Sequence, residues 1–263
     1  MTTLSITLPF LLQELKLTSI AKNWQEKSGL AIRNSWDYSK YLSVLCEEEI
    51  ADRYHKRTQK YIRESKLPPA KTLSSFNFKN TKFNEQQIVN LANSDDWIKN
   101  NENLLLFGPS GVGKTHLAAA IAYSLIEKGI RAKFTSTISM VQSLQKAKRD
   151  LTLMDELSKL DKYKILILDD IGYIKKTESE SSLLFELISH RYESGSIIIT
   201  ANQPFSDWNN IFQDNMMTVA AIDRLIHHCT IISCDEESFR RKESIEKAEI
   251  TKKTQEKKLA NKS

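Results

Sequence analysis

A buried strand, a glycine-rich turn and a helix follow one another directly near the middle of this 263-residue chain. Four apolar residues, 104–107, predict the strand, and the alanine-rich stretch after Thr115 predicts the helix. Between them lies Gly108-Pro-Ser-Gly-Val-Gly-Lys-Thr115, which has the spacing G-x-x-x-x-G-K-T. Glycines let backbone N–H groups turn toward an anion, and the following helix N-terminus adds a favourable field. This combination of motif and flanks predicts a loop that binds the phosphates of a nucleoside triphosphate.

Within this loop, Lys114 is expected to reach the outer phosphates and the Thr115 hydroxyl to ligate Mg²⁺. The cofactors predicted from the motif are therefore ATP and Mg²⁺. The expected nucleotide contacts come from nine consecutive residues: Gly108, Pro109, Ser110, Gly111, Val112, Gly113, Lys114, Thr115 and His116.

Strand and helix signals alternate along residues 71–235, which predicts a parallel sheet with helices on both faces. Strand-like runs occur at 104–107, 132–135, 165–168, 197–200 and 230–232. Helix-like runs occur at 116–128, 138–149, 153–160, 181–193 and 219–227. Residues 1–70 show helical spacing of apolar positions and predict a small all-helical N-terminal domain. Residues 236–263 are rich in Lys and Glu and predict a solvated C-terminal tail.

The composition is that of an ordinary water-soluble protein, with 40% hydrophobic and 27% charged residues. No apolar run is long enough to predict a membrane span. Cys46, Cys229 and Cys234 are odd in number and widely spaced, which favours a reducing compartment over a disulfide framework. His227 and His228 precede Cys229, but the spacing matches no standard zinc pattern. We expect a cytoplasmic protein with no membrane partner.

Two further polar positions follow apolar runs that predict buried strands. Asp169 and Asp170 come after residues 165–168, and Asn202 follows residues 197–200. Because parallel strands place ligand chemistry at their carboxyl ends, Asp169 is a candidate Mg²⁺ ligand and Asp170 a candidate for orienting water. Asn202 is a candidate sensor of the γ-phosphate or the attacking water. The alternatives are that the Asp pair caps the next element and that Asn202 is a turn residue.

The amphipathic segment Ala221-Ile-Asp-Arg-Leu-Ile-His-His carries one arginine, Arg224, on its polar side. Its functional interpretation is an arginine finger that acts in trans on a neighbouring subunit's ATP. The alternative is a surface ion pair with Asp223 or with an acid one turn away. Spacing alone does not choose between them.

Together these blocks resemble the IstB-like AAA+ ATPases, the ATP-binding helper proteins of a class of bacterial insertion sequences. The chain is also similar to DnaC-type helicase loaders. The resemblance runs nearly end to end, from Leu15-Lys-Leu-Thr-Ser-Ile-Ala through the phosphate loop to Asp169-Asp-Ile-Gly-Tyr. Its most selective blocks are Thr200-Ala-Asn-Gln-Pro-Phe-Ser-Asp-Trp and Ala221-Ile-Asp-Arg-Leu-Ile-His-His.

The resemblance implies a bacterial, cytoplasmic ATPase with an AAA+ core. It implies that the protein assembles on double-stranded DNA when ATP is bound, recruits or stimulates a transposase, and is released by ATP hydrolysis. Catalytic roles would fall to Lys114, Asp169, Asp170 and Asn202, and Arg224 would link protomers of a homo-oligomer. One departure is that little more than a charged tail follows Ile232, where many AAA+ proteins have a helical lid with a second sensor arginine; Arg240 and Arg241 are the candidates for that role. The alternatives are a DnaC-like helicase loader and, from another class, a small-molecule kinase.

Candidate DNA contacts come from the placement of a modest net charge of +5. One row lies on a single predicted helix and comprises Arg53, Lys56, Arg57, Lys60, Arg63 and Lys66. A second cluster ends a helix in the core and comprises Lys146, Lys148 and Arg149. Such clusters neutralise phosphates and make binding depend on salt, with little sequence preference. The alternative for the first row is a solvated helix face.

Overall fold

The computed structural model describes residues 3–172, 177–203, 208 and 215–234. Its strands are β1 (Asn103–Phe107), β2 (Ala132–Ser136), β3 (Ile165–Asp169), β4 (Ser196–Ala201) and β5 (Cys229–Ser233). The helices before β1 are α1 (Thr3–Glu14), α2 (Thr18–Arg33), α3 (Tyr38–Ser65), α4 (Glu85–Asn93) and α5 (Asp96–Lys99). Those that follow are α6 (Lys114–Glu127), α7 (Thr137–Arg149), α8 (Leu153–Leu160), α9 (Glu178–Arg191) and α10 (Asn215–Ile226).

The five strands form one parallel sheet in the order β2-β3-β4-β1-β5. Successive side chains of each strand point to opposite faces, so both faces of the sheet are apolar. On β1, Leu104 and Leu106 pack into the core that contains α6, whereas Leu105 and Phe107 pack into the core that contains α7 and α9. The predicted parallel sheet with helices on both faces is confirmed.

Every strand predicted between residues 104 and 232 is present, within one residue at each end. The helices at 116–128 and 153–160 also agree closely, and the Gly129 that ends the first adopts a left-handed φ of 86°. The sequence interpretation missed α4 and α5. Asn84 supplies the local signal for α4, since its side chain accepts a hydrogen bond from the Gln87 backbone N–H at 3.1 Å.

The chain divides into two compact units between Lys60 and Tyr61, within α3. The division falls there because Tyr61, Ile62 and Leu67 pack against the core of the sheet, whereas the earlier part of α3 packs with α1 and α2. The domain bounds expected from the sequence, 1–70, 71–235 and 236–263, stay predictions of a functional division. The tail at 236–263 lies outside the described residues.

A buried glutamate organises the N-terminal unit. Glu49 of α3 is 3% exposed, and its carboxylate accepts hydrogen bonds from the backbone N–H groups of Ser19 at 2.8 Å and Ile20 at 3.2 Å. These N–H groups belong to the first turn of α2, whose N-cap residue, Leu17, has no side chain able to accept them. A carboxylate 30 positions later in the chain therefore caps this helix.

Among the helices that the structure describes, none combines the length and the apolar character that crossing a bilayer requires.

Candidate nucleotide-binding site

The phosphate loop connects β1 to α6 at the carboxyl edge of the sheet. Gly108, Gly111 and Gly113 have φ values of 148°, 88° and 104°, a region that residues with a Cβ rarely adopt. A Cβ on Gly113 would also lie 2.6 Å from the ring of Phe76, and one on Gly108 would lie 2.5 Å from the carbonyl oxygen of Cys234. Both glycines are therefore required by conformation and by space.

Hydrogen bonds fix Lys114 and Thr115, the two side chains of the loop that are expected to contact the phosphates and Mg²⁺. Lys114 is 8% exposed, and its ammonium group donates hydrogen bonds to the carbonyl oxygens of Gly108 at 2.7 Å and Pro109 at 2.8 Å. The Thr115 hydroxyl donates to Asp169 Oδ1 at 2.8 Å. The structure thus brings the hydroxyl expected to ligate Mg²⁺ into contact with the carboxylate expected to do the same.

Thr200, on β4, is a site residue that the sequence interpretation did not assign. Its hydroxyl donates to Asp169 Oδ1 at 2.7 Å and accepts from the Asp170 backbone N–H at 2.8 Å. Asp170 has a φ of 61°, so it turns the chain sharply at the end of β3. The sequence signal that could have identified Thr200 is its place as a polar residue directly after the apolar run 197–199. A second threonine, Thr137, donates to the backbone carbonyl of Asp169 at 3.1 Å.

The side chains of Lys114, Thr115, Asp169, Asp170 and Thr200 line one cavity of about 310 Å³. Its walls also include Asn202 and Lys71. Asn202 Oδ1 is buried and has no hydrogen-bond partner among the residues that the structure describes, so an additional donor is required to satisfy it. Nothing in the sequence around Lys71 pointed to this cavity.

His116 completes the wall and fixes the segment that precedes α4. Its Nε2 lies 3.0 Å from the carbonyl oxygen of Thr72 and 3.2 Å from the hydroxyl of Ser75. Its ring also meets that of Phe76 edge to face, with centres 5.1 Å apart. Of the predicted site residues, the cavity brings together Ser110, Gly111, Gly113, Lys114, Thr115, His116, Asp169, Asp170 and Asn202.

Arg224 is not part of this cavity. It lies on α10 and lines a different cavity with Asn103 and Ile197, at the amino ends of β1 and β4. A five-residue strand is about 16 Å long, so Arg224 is separated from the phosphate loop of its own chain by about that distance. Its guanidinium donates to the Ala220 carbonyl oxygen at 2.9 Å and lies 5.1 Å from the ring centre of Phe185. Neither Asp223 nor any other described carboxylate forms an ion pair with it.

The candidate DNA-binding side chains are all exposed. Arg53 and Lys56 also make contacts within the N-terminal unit, since they pair with Glu49 at 2.7 Å and Asp52 at 2.6 Å. Arg57 lies over the ring of Tyr54, 5.4 Å from its centre. The cluster in the last turn of α7, which comprises Lys146, Lys148 and Arg149, makes no ion pair with a described residue.

Arg240 and Arg241 lie outside the described residues. The described cysteines are unpaired, and burial raises the pKa of Cys229 to about 12. No cluster of three or more His, Cys, Asp or Glu side chains able to hold a metal occurs in the described part of the chain. The Thr115–Asp169 pair is smaller than such a cluster. Two protein ligands are enough at a nucleotide site, because the phosphates supply further oxygen ligands to a magnesium ion.

Comparison with solved structures supports the fold. The DnaC helicase loader superposes on 67% of this chain and 99% of its own, with a TM-score of 0.54 and 21% identity. AMPPCP-bound DnaA from Aquifex aeolicus superposes on 65% of this chain and 52% of its own, with a TM-score of 0.54 and 16% identity. The core therefore has the fold of AAA+ proteins.

Comparison of sequences identifies the family as well as the fold. An insertion sequence ATP-binding protein of Sinorhizobium fredii is 47% identical over 91% of this chain and 80% of its own length. The ATP-binding protein of insertion sequence IS21 from Pseudomonas aeruginosa is 33% identical over 94% of this chain and 93% of its own length. The family model described as IstB-like ATP binding protein matches residues 10–247. The chain belongs to the family of IstB-like ATP-binding proteins.

Proposed function

We propose that this protein is an ATPase that helps a transposase, and that ATP with Mg²⁺ binds in the cavity lined by Lys114, Thr115 and Asp169. The observation that carries the proposal is the convergence of these groups with Asp170 and Asn202 at the carboxyl edge of the sheet. The fit is chemical: the loop offers an ammonium group and backbone N–H groups to phosphates, and Thr115 and Asp169 offer oxygen atoms to a hard cation.

Each residue of this cavity has a separate role in the proposed hydrolysis. Lys114 neutralises phosphate charge, and Asp169 is held by the hydroxyls of Thr115 and Thr200 for contact with the metal. Bound Mg²⁺ would supply charge neutralisation at the phosphates. Asp170 accepts the proton of an attacking water, and Asn202 Oδ1, which is buried and lacks a donor among the described residues, orients the same water.

Arg224 completes the site of a neighbouring subunit. It lies at the amino ends of the strands, away from its own phosphate loop, and no described carboxylate neutralises it. An arginine in this position serves as a finger only if a second copy presents its nucleotide to it. Such a contact joins two different surfaces of the protomers, so it builds a ring or a filament. ATP then acts as a signal for assembly.

The rest of the proposal concerns the partners. Several relatives are named as ATP-binding proteins of insertion sequences, which supports a role beside a transposase. We infer that the ATP-bound oligomer assembles on double-stranded DNA, recruits or stimulates the cognate transposase, and is released by hydrolysis in the cytoplasm. The helicase-loader alternative rests on structures that share the fold at about one fifth sequence identity.

A mixing experiment tests the site and the assembly together. Asp170→Asn should bind ATP without turnover, and Arg224→Ala should do the same because its neighbour's site lacks the finger. If Arg224 acts in trans, mixing equal amounts of the two inactive variants restores turnover. About a quarter of the wild-type rate is expected, because random mixing gives one interface in four with both groups intact.

The assay is ATP turnover with and without duplex DNA, accompanied by ATP binding for each variant. Mixing Asp170→Asn with Lys114→Ala is the control, since neither variant has a competent nucleotide site of its own, and turnover should stay absent. Turnover by Arg224→Ala alone at the wild-type rate would rule out the finger. A wild-type protein that binds ATP but never hydrolyses it, on DNA or off it, would overturn the proposed ATPase.

A further inference from the structure

Three lysines that the nucleotide site does not use meet beside β2, the edge strand of the sheet. Lys133 of β2 and Lys162, which precedes β3, both lie over the ring of Tyr163, with their ammonium groups 5.6 Å and 5.0 Å from its centre. Lys66, directly after α3, acts on Lys133 with its positive charge, as Lys162 does. We call Lys66, Lys133 and Lys162 the edge cluster.

The surroundings neutralise the charge of the edge cluster only in part. Glu64 is the carboxylate that acts on Lys133, and it also pairs with Arg131 at 3.7 Å. Lys66 and Lys162 have no carboxylate partner among the residues that the structure describes. Burial lowers the pKa of Lys133, and the positive charges of Lys66 and Lys162 lower it further, whereas the smaller effect of Glu64 raises it. The three ammonium groups therefore repel one another, and a bound anion relieves that repulsion.

We propose that the edge cluster is a binding site for the backbone phosphates of duplex DNA. This inference rests on the proposed function, since it names a surface through which the protein holds DNA. It adds Lys133 and Lys162 to the DNA-binding residues expected from the sequence.

The aromatic rings beside the cluster favour duplex over single-stranded DNA. Single strands are held largely by bases that stack on exposed aromatic faces. Tyr163 is only 6% exposed and lies beneath the ammonium groups, and Tyr61 lies beneath the guanidinium of Arg131 at 4.8 Å. Because Tyr163 is buried and a guanidinium lies over the half-buried ring of Tyr61, the surface of the edge cluster offers mainly charge. Charge without base contacts suits a regular double-helical backbone.

Continuity with the basic end of α3 also favours a long polyanion. Arg63 lies in the last turn of α3, and Lys66 follows directly after the helix. Both side chains are exposed. The edge cluster therefore extends the positive charge at the end of α3, so one strand of phosphates is able to contact both.

The test is duplex DNA binding by the full chain as a function of salt concentration, in the presence of a non-hydrolysable ATP analogue. The double variant Lys133→Gln with Lys162→Gln should neutralise two fewer phosphates. Each neutralised phosphate contributes roughly 0.9 to the slope of log affinity against log salt, so the slope should become shallower by about 2. At 0.15 M salt, affinity per protomer should fall about 30-fold. Lys79→Gln with Lys99→Gln, which removes equal charge from other exposed positions, should leave the slope unchanged.

ATP binding measured on the same samples shows that the variants fold. A double variant that binds ATP and keeps the wild-type DNA affinity and salt slope would overturn the edge cluster, and would leave an acidic protein surface as its partner. A wild-type chain that fails to bind duplex DNA at all would overturn the DNA-dependent function as well. The two failures are thus distinguishable, because the first appears only in the variant and the second appears already in the wild type.

Discussion

Replacing Thr200 by valine removes a hydroxyl that holds both carboxylate residues of the candidate site. The side chain of Thr200 is buried at 1% exposure, and valine has nearly the same shape, so the substitution changes hydrogen bonding more than packing. Two hydrogen bonds are removed, one to Asp169 Oδ1 at 2.7 Å and one from the Asp170 N–H at 2.8 Å. The second of these secures the left-handed backbone of Asp170.

The magnitude follows from the nature of these two bonds. A hydrogen bond to a charged group contributes about 1.5–3 kcal/mol, and an unsatisfied N–H costs about 1–3 kcal/mol. Because the two effects share one hydroxyl and the N–H is only partly buried, we expect the free energy of unfolding to decrease by about 3 kcal/mol. For a unit of this size, that lowers the melting temperature by roughly 6–12 °C. ATP turnover should fall about 10- to 100-fold, with the KM for ATP changing much less, because binding depends mainly on the phosphate loop.

Two other threonine variants separate this role from a general loss of packing. Thr200→Ser keeps the hydroxyl and should retain most of the turnover. Thr137→Val removes an equally buried hydroxyl that bonds the backbone of Asp169 and not its carboxylate. Thr137→Val should lower the free energy of unfolding by about 1 kcal/mol and leave turnover within about threefold of the wild-type rate. Thermal melting and steady-state kinetics are the assays. The reasoning fails if Thr200→Val matches the wild type in both, or if Thr137→Val loses turnover to the same extent.

The remaining predictions concern Arg191 and Glu49, two buried charged residues outside the site. Gly195→Ala should lower the free energy of unfolding by about 2–3 kcal/mol in chemical denaturation, because the new Cβ would lie 2.2 Å from Arg191 Nη2, whose guanidinium is anchored to three backbone carbonyls. Gly29→Ala, where the added Cβ meets nothing within 4 Å on helix α2, should instead be neutral or stabilising. Burial would raise the pKa of Glu49, but hydrogen bonds from Arg53, Ile20 and Ser19 hold it below its ordinary value of 4.5. Its contribution to stability is therefore full above that pH and is lost as the pH falls through the lower, folded-state pKa. Glu49→Gln should cost about 1–3 kcal/mol at neutral pH, and its difference from the wild type in urea unfolding should shrink below pH 4.5. A difference that stays constant with pH would contradict this account.

Much of the core could be predicted because its signals are local. Four-residue apolar runs such as 165–168 predict buried strands, and the glycine spacing around Lys114 encodes its own backbone conformation. The Asp169 side chain was located in the same way, since the residue that ends a buried parallel strand faces the ligand edge. The short helices α4 and α5 were missed because they precede the first strand and lack a long apolar periodicity.

The α/β core and the phosphate loop follow from local sequence, because neighbouring residues encode each of these features. The order of the strands in the sheet, and with it the site around Asp169, depends on packing between segments that are distant in the chain. Thr200 reaches Asp169 across 31 positions because β3 lies beside β4 in the sheet. Glu49 caps α2 across 30 positions, and Lys133 meets Lys66 and Lys162 through the packing of separate segments. Hydrogen bonds and charge repulsion act through space, so residues far apart in the chain carry no periodic pattern that reveals these interactions.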